Sequence, residues 1–292
     1  MPDPLPAAVL AARRALAAAT AEYRAIPDAA LERPWQFRGA EQDVRYGVYR
    51  AGETVEDAAA EVEAILAGAP ARSGAVRRIA AATVERWELQ GLLATLPDEV
   101  IDRVPKPGEW TARETLAHIV DTQRGYGWTT RWWVARPADA PRLPRVPDDA
   151  VARGDAEMPG EAADGAGTVA EIRARLDDAL DTWGTELGSL DDELLGRYAV
   201  WSLTPVDVGF RLGRWGSHIA EHTIQLDKTL TWLDHRPTEV ARVIRELHGA
   251  WGRLEARLFP APGTNDRVDA VLARLGGVIV SEARSARAAS GA

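Results

Sequence analysis

The stretch of residues 211–234, RLGRWGSHIAEHTIQLDKTLTWLD, constrains the fold most, because its apolar residues recur with the period of an α-helix. The face that this period predicts to be buried carries Trp215, Ile219, Leu226, Thr229, Leu230 and Leu233. His218 and His222 are four residues apart, so they lie on one face of this helix, one turn above the other. Both imidazoles are therefore predicted at the edge of the buried stripe.

Two neutral imidazoles in that position can bind one metal ion if a third ligand arrives from another element. The sequence offers His118, in the segment EWTARETLAHIVDTQ, on a second predicted helix. His118, His218 and His222 therefore form a candidate metal site. The alternative for the pair is two ordinary polar residues on a helix, and the alternative for His118 is a hydrogen-bonded, partly buried histidine.

The remaining sequence also favours helices, since long segments have helical spacing and runs of β-branched residues are few. We therefore predict an all-α protein. Its predicted helices cover about 6–26, 54–68, 74–95, 111–136, 168–188, 205 or 211 to 234, 238–257 and 267–288. The segment 27–53 reads as irregular, and the Pro-, Gly- and Asp-rich segment 137–167 is predicted to be a long crossover loop.

Several helix starts have a recognisable signal. Thr111 and Thr168 are each followed three residues later by a glutamate, which is the pattern of a capping box. Thr54 and Thr204 are followed by an aspartate at the same distance, so helices are also predicted to begin there.

Composition excludes several classes of function. The net charge is −9 and no dense basic patch is present, which argues against a nucleic-acid partner. The chain has no cysteine, so disulfides, thiolate zinc sites and a cysteine nucleophile are excluded. No apolar run reaches the length of a membrane span, and Arg13 and Arg14 interrupt the apolar run of the N-terminal segment, unlike in a signal peptide. We expect a cytoplasmic protein with no membrane partner.

A short acidic pattern recurs after three predicted helices. It reads IPDAALER at 26–33, LPDEVIDR at 96–103 and LDDELLGR at 190–197. The simpler interpretation is a common linker between helices. The other is a degenerate duplication of a helix pair, in which residues 6–70 imitate residues 74–136 and Glu61 takes the place of His118.

Three segments share a family pattern: LPDEVIDR, GEWTARETLAHIVDTQ and HIAEHTIQLDK. The residues that carry it are Trp110, Thr111, His118, Asp121, His218, His222 and Gln225. Together they make the region 74–235 similar to the DinB-like superfamily, which includes bacterial thiol transferases. The resemblance implies a four-helix bundle with one crossover connection and a divalent metal held by the three histidines. It leaves residues 1–73 as an N-terminal helical extension and residues 236–292 as a C-terminal helical pair.

The resemblance implies an S-transferase for a low-molecular-weight thiol or a thiol-dependent maleylpyruvate isomerase. Three histidine ligands leave a fourth position open, where a metal lowers the pKa of a thiol and holds the sulfur beside an electrophile. Because the chain has no cysteine, the thiol would be a cosubstrate. Zinc is the expected ion, with nickel and iron as alternatives. The alternative functions are a metal-assisted hydrolase and a non-catalytic binding or dimerisation module.

Further candidates come from single residues. Glu221 gives the pattern H-x-x-E-H at 218–222, in which the glutamate serves inverted-motif zinc peptidases as general base; otherwise it is a solvated residue or a partner of a ligand. Arg45 and Tyr46 lie in an arginine- and tyrosine-rich stretch that suits an anionic small-molecule substrate, or a structural loop. Trp132 is a candidate wall of the substrate pocket, with core packing as its alternative. A homodimer is left open.

Overall fold

The protein is described by a computed structural model that covers residues 5–259 and 266–292. Its helices are α1 (Ala7–Arg24), α2 (Val44–Tyr49), α3 (Ala51–Leu66), α4 (Gly74–Leu93), α5 (Asp98–Ile101), α6 (Ala112–Ala135), α7 (Asp148–Glu157), α8 (Glu161–Asp164), α9 (Val169–Gly188), α10 (Asp192–Leu195), α11 (Val208–Trp232), α12 (Glu239–Glu255) and α13 (Asp266–Ser290). Two antiparallel hairpins join β1 (Pro34–Phe37) to β2 (Ala40–Asp43) and β3 (Tyr198–Trp201) to β4 (Thr204–Asp207). The all-α class is confirmed. Within the described residues, no helix is long and apolar enough to cross a membrane.

The two complete capping boxes form as predicted. The Thr111 hydroxyl accepts from the backbone N–H of Glu114, whose carboxylate accepts from the backbone N–H of Thr111 at 2.7 Å, and Thr168 heads the same arrangement. The two helix starts expected from the aspartate pattern are wrong. Thr54 lies inside α3, because the chain is already helical from Ala51. Thr204 lies in β4, where it pairs with the preceding strand.

The helices α4, α6, α9 and α11 surround one hydrophobic core, and we call them the histidine bundle. The largest side chains of this core include Leu116, Ile119, Trp133, Leu176, Leu212, Trp215 and Ile219. A long crossover leads from α6 to α9, as the predicted bundle topology requires. The crossover is not wholly irregular, since the segment 137–167 contains α7 and α8. Asp148 and Asp149 favour the N-terminus of α7, but its 10 residues are too few to show a clear period.

The helices α1, α3, α12 and α13, with the short α2, surround a second core, and we call them the terminal bundle. Its buried residues include Leu16, Tyr23, Val55, Val62, Leu247, Trp251, Leu272 and Ile279. Helix α1 packs along α13, and α3 packs against both α12 and α13. The two segments that flank the histidine bundle in sequence therefore share one core. This arrangement is the expected four-helix bundle with additional helices at both ends, with the additional helices forming a bundle of their own.

A helix–hairpin–helix unit occurs in both bundles, at a constant spacing of 164 residues from Asp43 to Asp207. Both hairpins have the same four-residue strands, and each aspartate accepts a hydrogen bond from a backbone N–H three residues on, at 2.7 Å from Tyr46 and 2.6 Å from Phe210. Both turns have two residues with positive φ, which suits a tight hairpin turn. At this spacing α3 corresponds to α11 and not to α6, which differs from the register that matches Glu61 with His118.

The two bundles meet where α4 crosses α12, and the contact is reciprocal. A Cβ on Gly91 would lie 2.8 Å from Arg245 and His248, and a Cβ on Gly252 would lie 2.8 Å from Trp87. Reciprocal pairs of this kind are typical of a twofold interface between equivalent subunits. The junction therefore resembles a dimer contact built into one chain.

Buried charges also cross this junction. Arg13 of α1 pairs with Asp181 of α9 at 2.6 Å and with Glu255 of α12 at 2.7 Å, and Arg86 of α4 pairs with Asp181 at 2.5 Å. Arg86 and Glu255 are 0% exposed, so each charge depends on its partners inside the protein.

Candidate metal centre

The three predicted histidines meet between α6 and α11. His118 comes from α6, and His218 and His222 come from successive turns of α11, which packs directly against α6. One ring nitrogen of each histidine lies within 4.8 Å of those of the other two. The ring centroids are 4.3 Å apart for His218 and His222, and that of His118 lies 5.2 Å from His218 and 4.8 Å from His222. One ion at the centre of this triangle can be reached by all three rings.

The hydrogen bonds of the imidazoles determine which nitrogen is free. Gln225 Oε1 lies 2.7 Å from His222 Nδ1, and since an amide oxygen only accepts, Nδ1 carries the proton and Nε2 presents a lone pair. Gln123 lies 3.2 Å from His218 Nδ1, and its Oε1 is buried without a partner. Turning this amide over changes no volume and lets Oε1 accept from Nδ1 of His218, as Gln225 does for His222. Both rings then fit a metal through Nε2.

Burial keeps the pair uncharged. The pKa of His218 is lowered to about 3, first by burial and then by the neighbouring His222 and His118. Burial also lowers the pKa of His222. Both rings are therefore neutral at pH 7, which is the form that binds a metal ion.

Aromatic rings and one carboxylate surround the cluster. Trp110 contacts His118 edge-on at 5.2 Å, and Tyr126 contacts His218 at 5.4 Å between ring centroids. Glu161 of α8 lies 3.9 Å from His118 Nδ1 and also lines a cavity of about 500 Å³ between α6 and the crossover. The side chain of His118 is 30% exposed, so the cluster is reached from this side.

The family model of the DinB superfamily matches residues 81–230. The chain belongs to the DinB superfamily. The matched residues run from α4 to the end of α11 and include all three histidines, and this superfamily is generally metal-binding. No curated protein and no solved structure matches the chain.

In this DinB-superfamily chain, Glu221 of the histidine bundle lies on the outer side of α11. It is exposed, and Arg214 donates to its two oxygens at 2.8 and 2.9 Å. The hydrogen bond from Arg214 lowers the pKa of Glu221, so the carboxylate stays ionised and paired with Arg214. The H-x-x-E-H spacing is therefore present without a carboxylate directed at the histidines.

The structure does not bring the other predicted residues to the cluster. Arg45 and Tyr46 lie on α2 of the terminal bundle, where Arg45 pairs with Glu239 at 2.7 Å and Tyr46 packs against Phe37. Trp132 is on α6, but its 14-residue separation from His118 corresponds to about 21 Å along the helix. It packs against its neighbour Trp133 at 4.9 Å.

Residues that the sequence analysis missed lie beside the histidines on the same two helices. Gln123 and Tyr126 follow His118 by five and eight residues, and Arg211 and Arg214 precede His218 by seven and four. Helical spacings of four, seven and eight return a side chain to the same face, so the sequence held a signal for Arg214, Arg211 and Tyr126, but none for Gln123 at five.

Proposed function

We propose that the protein is a metal-dependent enzyme that uses a low-molecular-weight thiol as cosubstrate, for S-transfer or for thiol-assisted isomerisation. The observation that carries the proposal is the convergence of three imidazole nitrogens within 4.8 Å, with the pKa values of two rings lowered. Membership of a generally metal-binding superfamily supports it. His118, His218 and His222 would be the ligands.

Zinc is the favoured ion, because a set of three imidazoles is a common zinc site and leaves a position open for catalysis. Nickel and iron also accept imidazole ligands. When bound, such an ion would lower the pKa of a thiol at the open position. Since the chain has no cysteine, that thiol would come from a small molecule.

The protein's own residues would prepare this site. Gln225 and Gln123 would fix the orientation and the proton position of His222 and His218. Trp110 and Tyr126 would limit water around the rings. Glu161 is the carboxylate beside His118 and could accept the proton that an arriving thiol gives up.

A non-catalytic helical module is the second candidate. It is favoured by one observation: at the 164-residue spacing, the terminal bundle has Thr54 and Ala58 where the histidine bundle has His218 and His222. The fold therefore does not need the histidines. A hydrolase with Glu221 as general base has less support, because Arg214 holds that carboxylate at the outer side of α11.

The test is the metal content of untagged protein, measured for the parent, His218→Ala and His235→Ala. His235 lies three residues after the end of α11 and outside the cluster, so it controls for general loss of histidine. We expect about one equivalent in the parent and His235→Ala, and a large loss in His218→Ala. Thiols would then be titrated into the cobalt-substituted parent, whose absorption reports sulfur binding. Absence of metal after reconstitution would refute the proposed metal-dependent enzyme and favour the non-catalytic helical module.

A further inference from the structure

Arg211 is a buried cation without a buried anion. Arg211 is 5% exposed, and among the described residues no carboxylate pairs with it. Its guanidinium donates to Thr130 Oγ1 at 3.2 Å and to the carbonyl of Val200. Arg13 and Arg86, the buried arginines of the bundle junction, each pair with carboxylates. An uncompensated buried charge is costly, so its presence calls for an explanation.

Arg211 lies on the face of α11 that continues from the histidines. It precedes His218 by seven residues, which is about 10 Å along the helix. Tyr126 of α6 is a neighbour of both, since its ring contacts His218 and its charge affects the pKa of Arg211. Its hydroxyl accepts from Trp201 Nε1 at 3.3 Å. Burial lowers the pKa of Arg211 to about 10, with Tyr126 opposing the shift, so the guanidinium is charged at neutral pH.

One more polar atom on α11, close to Arg211 in sequence, also lacks a partner. Arg214 stacks over Trp201 at 5.0 Å, and its Nε is buried with no hydrogen-bond partner. An unpaired buried donor costs free energy, and a bound anion beside this Nε would provide the acceptor that it lacks.

The terminal bundle shows that an arginine is not needed to hold the hairpin. At the 164-residue spacing, Gly47 corresponds to Arg211 and Trp35 to Ala199. The Trp35 ring fills the space beside Gly47, because a Cβ there would lie 1.8 Å from the indole. An apolar side chain thus fastens the hairpin in the bundle that has no histidine pair, and a charge occupies this position in the bundle that has one.

We propose that Arg211, with Tyr126, binds a carboxylate group of the substrate beside the three histidines. The inference rests on the proposed function, since it names the chemical class of the electrophile. A guanidinium and a phenol hydroxyl suit a carboxylate, which accepts several hydrogen bonds at once. The carboxylate would supply the missing negative charge and would orient the rest of the substrate toward the histidines.

The experiment is isothermal titration of the metal-free and metal-loaded protein with succinate, succinamide and sulfate at constant ionic strength. Succinamide is the neutral counterpart, and sulfate reports a site for any anion. We expect succinate to bind, succinamide not to bind, and Arg211→Gln to weaken succinate about tenfold or more. Arg211→Lys should keep part of the binding, and Tyr126→Phe should weaken it severalfold.

Arg72→Gln is the matched control, because Arg72 is a half-buried arginine that, like Arg211, donates to backbone carbonyls, here those of Ala256 and Phe259. It should bind succinate like the parent. If Arg211→Gln does not fold, Tyr126→Phe carries the test. Equal succinate binding in parent and variants, no binding to the folded parent, or preference for sulfate would overturn the inference. Succinate binding that depends on Arg211 in a protein that takes up no metal would support the carboxylate site while refuting the metal enzyme.

Discussion

Thr54 of α3 lies at the position that His218 has in α11, because the two helix–hairpin–helix units correspond at a spacing of 164 residues. The chain thus contains the histidine bundle and the terminal bundle. The terminal bundle has the same helix arrangement but lacks the histidine pair. The second bundle serves as an internal reference. What differs between the two at equivalent positions, such as Arg211 and Gly47, points to the site, whereas what agrees, such as Asp207 and Asp43, points to the fold.

Gln225 should affect metal affinity without being a ligand. Its Oε1 accepts from Nδ1 of His222 at 2.7 Å and so fixes the ring. We expect Gln225→Leu to weaken zinc binding about 10- to 100-fold, as measured by competition with a chelator of known affinity. Gln225→Glu keeps an acceptor and should bind at least as tightly as the parent. Equal affinities in all three proteins would contradict the role.

The crossing of α4 and α12 should not tolerate a methyl group. In Gly91→Ala the new Cβ meets the Arg245 backbone at 2.8 Å, which outweighs the better helix propensity of alanine. We expect a loss of about 1–2 kcal/mol in the free energy of unfolding, from urea denaturation. Gly277→Ala is the control, because Gly277 is exposed on α13 with open space around it. That variant should gain about 0.5–1 kcal/mol, and a similar gain in Gly91→Ala would show that the crossing is looser than described.

The buried charges of the junction should be coupled. Glu255 is 0% exposed and accepts from Arg13 and from Trp251 Nε1. Glu255→Gln removes the charge that balances Arg13, so we expect a loss of about 3 kcal/mol in the free energy of unfolding. The double variant with Arg13→Leu should lose less than the sum of the single changes. Additive losses would mean that the two side chains act independently.

Acid should destabilise the fold through His248. This ring is 2% exposed, contacts Thr20 Oγ1 at 3.0 Å, and has a pKa lowered to about 3 by burial. The unfolded chain, with a pKa near its ordinary value of about 6.5, binds more protons between these values, so stability falls as the pH falls below about 6.5. From pH 7 to pH 5 the contribution is about 2 kcal/mol. His248→Gln does not titrate, and denaturation at both pH values should show a smaller loss than in the parent.

The sequence was sufficient for the long helices and for the histidine cluster. Their apolar period and the capping boxes of Thr111 and Thr168 are local signals, and the four-residue spacing of His218 and His222 fixes one face. The hairpins were missed because their strands have four residues each, and their turns, at Arg38 and Ser202, lack the usual asparagine–glycine pair.

The packing of the terminal segments could not be predicted, because nothing local in α1 specifies α13 as its neighbour. The register of the duplication was also ambiguous, since the same acidic linker occurs three times and only the hairpin after two of them identifies the matching pair. The isolation of Arg211 from the carboxylates of residues 5–259 and 266–292 depends on tertiary contacts and has no sequence signal. The cytoplasmic location, the homodimer and the small-molecule partner stay predictions.

The terminal bundle is assembled from two pieces of chain with the whole histidine bundle between them. During synthesis, α4 to α11 can close their own core as soon as α11 has emerged, whereas α1 and α3 must wait for α12 and α13. Contacts between such distant segments form late and slowly. Until then α1 and α3 have no core of their own to enter. The order of translation therefore completes the candidate metal centre before the bundle that lacks it.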